Sequence, residues 1–343
     1  MPTTYAIPDG RVAMAATTYT GTGASLAVAN TVNGVNFQPD FVWVKGRSGA
    51  TDHALYDSVR GTTKDLVSNA TSAETTQATG LTAFGSTGFT VGALAKMNTS
   101  AATYVGWQWK AGGAAVSNTS GSITSSVSVN VSAGFSVVTY TGTGTAGTIG
   151  HGLGVTPSRI IVKPRSGTGD WIVYTNTTGA GNFLLLDTTA ASAASTTKWN
   201  NTAPTSSVFS VGIDTTTNLV TTTYVAYCFA PVSGYSAFGN YTGNGSADGP
   251  FVYLGFRPRF LMLKRTDSTG DWHILDTSRD TYNVSGNVLY PNLSSAESGI
   301  VWTQDILSNG FKLRITGANE NASGGTYIYA AFAENPFAYS NAR

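Results

Sequence analysis

"FQPDFVWVKGRSGATDH" (37–53), "VTPSRIIVKPRSGTGDW" (155–171) and "FRPRFLMLKRTDSTGDW" (256–272) are one pattern written three times. Each holds a proline (Pro39, Pro157, Pro258) and a lysine six residues on (Lys45, Lys163, Lys264). An aspartate follows seven residues beyond the lysine (Asp52, Asp170, Asp271). Between proline and lysine lies a short apolar run with β-branched and aromatic residues, which suits a strand begun after a proline. Between lysine and aspartate the chain is rich in Gly, Ser and Thr, which suits a turn. The pattern predicts strand, turn and strand at three places. A repeat of this kind governs every other reading of the fold.

Three further landmarks keep step. "YTGTG" stands at 19–23 and 140–144, and "YTGNG" at 241–245. Phe89, Phe209 and Phe311 come later in each unit. Tyr104, Tyr224 and Tyr327 follow those phenylalanines by 15, 15 and 16 residues, in "TYVGWQW", "TYVAYCF" and "TYIYAAF". Aromatics at two-residue spacing in "TYVAYCFA" mark a half-buried strand. Turn-rich breaks come about every 8–12 residues, the spacing of a sandwich or barrel. The expected fold is all-β: three tandem antiparallel β-sandwich-like domains, jelly-roll or lectin-like, behind a short N-terminal arm. The expected boundaries are 1–16 for the arm, 17–112 for the first repeat and 113–134 for a Ser/Gly-rich linker or extra edge strand. The second and third repeats take 135–232 and 233–343. In the arm, Pro2 and Pro8 disfavour a helix and Asp9-Gly10 signals a turn. Tyr5, Ile7, Val12 and Met14 are expected to fill pockets on another chain.

Charged residues are 11% of the chain, against about 25% in an average domain. Ser, Thr, Asn and Gly must supply the polar surface. Net charge is +1, with no basic stripe for nucleic acid. No apolar run approaches the roughly 18 residues of a membrane helix, so no membrane insertion is expected. The N-terminus shows no basic-then-apolar signal peptide. The one cysteine, Cys228, lies in an alternating apolar run and reads as core.

"HGLGVTPSRIIVK", "NNTAPTSSVFSVG", "GYSAFGNYTGNGSADGPFVY", "GFRPRFLMLKRTDSTGDW" and "GGTYIYAAFAENPF" resemble a repeat domain of tailed bacteriophages, found in tail-fibre-like and other virion-associated proteins. The resemblance spans nearly the whole chain. It implies a structural or adhesive virion protein, made in the host cytoplasm and placed in the virion. The implied role is a tail fibre or appendage component that contacts the host surface through a glycan or receptor. The alternative is a capsid decoration or head fibre anchored by the N-terminal arm. Its partners would be other virion proteins and sister copies, with a trimer favoured. The resemblance brings no catalytic residue.

The residues themselves also argue against an enzyme. His53, His151 and His273 fall at unmatched positions, so no shared metal locus is expected. No carboxylate pair recurs as glycoside hydrolysis would need. No cofactor is implied. The recurring Lys–Asp offset reads first as an ion pair or loop cap. Trp171 and Trp272, just after the aspartates, read first as core. The functional alternative for Asp170, Trp171, Asp271 and Trp272 is a sugar site, with a carboxylate beside an aromatic face.

Overall fold

The computed structural model describes residues 7, 9–31 and 34–334, with the backbone alone at 300–302. The chain is all-β. The helices among the described residues are single turns, at Gly10–Val12, Ala95–Asn98, Thr215–Asn218 and Ala318–Asn321.

One strand order recurs in three four-stranded antiparallel arrangements. The first unit runs, side by side, Met14–Thr20, Thr103–Trp109, Phe41–Gly46 and Ala54–Asp57. The second has Phe135–Thr141, Thr223–Phe229, Arg159–Pro164 and Ile172–Thr175 in the same order. The third has Ser236–Thr242, Thr326–Ala333, Pro258–Arg265 and Trp272–Asp276. In each, the unit's opening strand pairs with its closing strand, which pairs with the proline-led hairpin. The register matches too: Lys45, Lys163 and Lys264 lie opposite Val105, Val225 and Ile328. A smaller sheet backs each unit. Its shared pair is Leu26–Ala29 with Gly88–Val91, Gly147–Gly150 with Val208–Val211, and Phe251–Tyr253 with Gly310–Leu313.

The YTGTG phrase is the corner where a unit's opening strand leaves the main sheet. Tyr19, Tyr140 and Tyr241 stack on Tyr104, Tyr224 and Tyr327, with ring centroids 5.2, 5.1 and 4.9 Å apart. A buried asparagine ties each turn down. Asn98, Asn218 and Asn321 accept from the backbone N–H of Thr22, Thr143 and Asn244. Their amide groups donate to Ala24, Thr145 and Ser246 carbonyls across the turn. Glycine is required because the corner lies against a helix end. A Cβ on Gly142 would sit 2.3 Å from the Leu219 carbonyl oxygen.

The hairpin strands are buried on both faces. Phe41 and Trp43 point into one cluster, and Val42 and Val44 into another. The second cluster belongs to the first unit alone, and the other units have their counterparts. The first cluster belongs to all three units. It joins Phe41, Trp107 and Trp109 to Phe135, Trp171 and Phe229 and to Phe260, Trp272 and Phe332. Rings meet across every boundary: Phe41 with Tyr227 at 4.2 Å, Trp109 with Phe260 at 5.4 Å, and Phe229 with Phe332 at 5.9 Å. The units are three sides of one body around a common core. They are not separate domains in a row, because each sheet has a second apolar face that only its neighbours cover.

Two boundaries move. The first strand starts at Met14, and Ile7, Ala13 and Met14 are buried in the central core. Residues 10–16 are thus part of the first unit, seated on their own chain, while Val12 is exposed. Tyr5 lies outside the described residues. In the 113–134 stretch the structure takes the edge-strand alternative over the linker. Ser125–Asn130 pairs with Phe135–Thr141, and Val116–Asn118 pairs with it in turn, so two strands extend the second unit's sheet.

Gly142→Ala is expected to cost at least about 2 kcal/mol of unfolding free energy, as a backbone clash with no flexible atom to yield. Gly49→Ala, whose Cβ would meet nothing within 4 Å, is expected to stay within about 0.5 kcal/mol. Denaturant titration of both variants checks this.

Candidate functional site

The hairpin ends carry the candidate residues, and the fold places them at the three seams between units. Lys163 Nζ donates to the Gly169 carbonyl of its own hairpin (2.7 Å) and to Thr71 of the first unit (3.0 Å). Lys264 does the same with Gly270 (2.9 Å) and Thr189 of the second unit (3.2 Å). Lys45 closes the ring, donating to Thr51 (2.8 Å) and to Ser294 (3.1 Å) and Ser295 (2.8 Å) of the third unit. The seams thus run second to first, third to second and first to third. The expected lysine–aspartate ion pair is absent among the described residues. The ammonium groups are buried, and carbonyl oxygens satisfy them. Burial pushes all three lysines down to about 8, against the pull of Asp52, of Asp187 and Asp170, and of Asp271.

The tryptophans serve the same seams. Trp171 Nε1 donates to Val67 of the first unit and Trp272 Nε1 to Leu185 of the second, each at 2.8 Å. His53 stands at the matching place in the first unit, and its Nε2 donates to Tyr290 of the third (2.9 Å). Its Nδ1 accepts from Trp43 Nε1 (2.8 Å), which fixes the neutral tautomer. Burial, then Lys45, lowers His53 to about 3. Trp43 packs edge-on against the imidazole, with ring centroids 5.8 Å apart.

Asp52 and Asp271 accept from the amide groups of Asn69 and Asn292, at 2.8 and 2.7 Å. Those asparagines also accept from the backbone N–H of His53 and Trp272. In the second unit, Asp187 accepts from Trp171 N–H instead (3.1 Å). The sugar-site alternative is corrected for the tryptophans. Trp171 and Trp272 are both 0% exposed, so neither ring offers a face to a ligand. Asp170 and Asp271 are half-buried beside them, without the aromatic platform that such a site needs.

Sequence reasoning missed a second layer. At the first–second seam, Arg60 binds Asp57 and Glu74 (3.0 Å to Glu74), and Arg165 of the second unit binds the same Glu74 (2.9 Å). Tyr227 of the second unit donates to Asp57 at 2.8 Å. The third–first seam repeats this with Arg279, Asp276, Glu297 and Arg47, and Trp107 Nε1 is the donor to Asp276 (2.9 Å). Burial raises Glu74 and Glu297, but the guanidinium groups on each outweigh it and hold both below the usual carboxylate range. The second–third seam has none of these groups. Thr175, Thr178, Ser192 and Thr266 hold the matching places, and Ala330 replaces the Tyr or Trp donor. The whole set is present or the whole set is gone, which is how a buried charge network must vary. "DSVR" (57–60) and "DTSR" (276–279) against "TNTT" (175–178) carry this signal in the sequence.

The histidines do not converge. His151 Nε2 donates to the Thr205 carbonyl and its Nδ1 accepts from the Leu153 N–H in the second unit, and His273 Nδ1 lies 2.8 Å from Glu320 in the third. Among the described residues no group of three His, Cys, Asp or Glu is placed to hold a metal. A model for a domain of unknown function, DUF7483, matches residues 12–336. No curated protein and no solved structure matches the chain.

Arg60→Leu is expected to cost about 3–5 kcal/mol, since it leaves the buried Asp57 without its counter-ion. Thr178→Ala, at the matching place in the second unit, is expected to cost less than about 1 kcal/mol. Equilibrium unfolding of the two variants checks the contrast.

The lysines give a pH signature. Unfolded lysine keeps its proton to about pH 10.4, while the folded groups release theirs near 8. Between these values the unfolded state holds more protons, so stability is expected to rise with pH. Between pH 8 and 9.5 the denaturation midpoint of Lys163→Met should gain less with pH than that of the wild-type chain, a difference that isolates one lysine from the buried Cys228 and tyrosines, which pull the other way.

Proposed function

We propose that this chain, which belongs to the DUF7483 family, is a structural protein of a tailed-phage virion. We read its three units as sandwich-like modules fused into one tail-fibre or appendage component. The observation that supports the reading is where the repeated chemistry goes. The lysines, tryptophans and arginines of the repeat bind neighbouring units and leave a surface of Ser, Thr, Asn and Gly. A protein whose repeated lysines and arginines are spent on internal seams suits a mechanical or adhesive role. Assembly with other virion proteins and with sister copies, as a trimer, belongs to the same reading.

Host contact then falls to the outer surface. Phe251 and Tyr253 alternate along one short strand and are 45% and 64% exposed. An aromatic pair on one sheet face is the platform that a sugar ring stacks on, and this proposal assigns the host-glycan contact there.

Antibody labelling of particles of the phage that carries the gene tests the role. Label at the tail appendages is the expected result. Label on the head would support a capsid decoration or head fibre instead, and particles lacking the chain would refute a virion role.

A further inference from the structure

The three seams differ at one polar corner. In the first and third units an aspartate in the hairpin faces an asparagine, and the amide N–H joins them: Asn69 to Asp52 and Asn292 to Asp271. In the second unit the matching residues are Asp170 and Asp187, two carboxyl groups. The backbone half of the motif survives. Trp171 N–H donates to Asp187 Oδ1, just as His53 and Trp272 donate to Asn69 and Asn292. Asp187 Oδ2 therefore holds the place of the amide nitrogen. It is buried and has no hydrogen-bond partner.

A carboxylate oxygen only accepts, whereas that place calls for a donor. Two carboxylates at the places of that Asp–Asn pair cannot both ionise without a penalty, and one proton between them removes it. We propose that Asp170 and Asp187 share one proton in the folded protein, so that the seam between the first and second units weakens as pH rises and the other two seams do not. With the proton on Asp187 Oδ2, the O–H donates to Asp170 as the amide does elsewhere. Loss of the proton leaves two like charges at the base of the hairpin whose Gly169 and Lys163 hold Thr71 of the first unit. The charged groups that bear on Asp187 are Asp170, in the same hairpin, and Lys163, on the strand before it. Burial and then Asp170 raise Asp187 to about 6, against the pull of the Trp171 N–H and of Lys163.

The folded-state value lies above that of an unfolded aspartate, so the stabilisation is complete at low pH and is lost as pH rises through about 6. The test compares denaturant unfolding of the wild-type chain and Asp187→Asn from pH 4.5 to 7.5. The variant restores the amide of the other two units. Its folding constant relative to wild type should grow about 25-fold over that range, as one carboxyl at about 6 in the folded state and about 3.9 in the unfolded state loses its proton. A ratio that stays constant with pH would overturn the proposal. A second variant reads the same device in the opposite sense. Asn69→Asp places the carboxyl pair at the seam between the first and third units, and should create there a pH-dependent loss that wild type lacks. Carbon-detected NMR titration of the side-chain carboxyls reads the proton directly. Asp187 should titrate above pH 5, and an ordinary value near 4 would refute the sharing.

Discussion

A buried ammonium group must find oxygen atoms, and in this fold it finds them on the next unit. Three lysines at one place in the repeat each bridge a hairpin to a loop of another unit. Each indole or imidazole beside them reaches a carbonyl four residues earlier in that same loop: Tyr290 and Ser294, Val67 and Thr71, Leu185 and Thr189. The bonds only work if all three units are present and turned the same way. They make the third unit close on the first, although Lys45 and Ser294 are some 250 residues apart. Closing so long a loop has an entropic cost that grows only slowly with length, so one well-packed seam can hold it.

The common core follows from that ring. Each main sheet is apolar on both faces, and only one face is covered within its own unit. The ring holds the other faces together, so aromatic residues of all three units share one cluster. Departures from symmetry are then compensated in place. A histidine for a tryptophan is matched by Trp43 beside it. The loss of Asp, Arg and Glu at one seam is matched by Ala330 across from it. Asp187 is the departure with no such partner.

The repeat, its strands and its corners were legible in the sequence because they rest on local chemistry. Pro39, Pro157 and Pro258 stand at or just before strands, and the second glycine of each YTGTG phrase, Gly23, Gly144 and Gly245, turns the chain at positive φ. The shared core was not legible. A run such as "FVWVK" shows that both faces are buried but not what buries them. The lysine–aspartate offset was visible as a pattern, yet the partners of Lys45 are backbone carbonyls far along the chain, and carbonyls leave no mark on composition. Trp171 and Trp272 were read correctly as core in the first instance, because an aromatic at a strand start usually is. The Arg60 and Arg279 networks had a signal, the paired "DSVR" and "DTSR", that emerges only when the three units are compared.

The seams make the three units one cooperative body. Hydrogen exchange across a denaturant series, resolved by peptide, tests it most directly. Amides in the closing strands Thr103–Trp109, Thr223–Phe229 and Thr326–Ala333 should lose protection together, at one denaturant midpoint. Three separate midpoints, each confined to one unit, would show that the seams join folded domains without making them one.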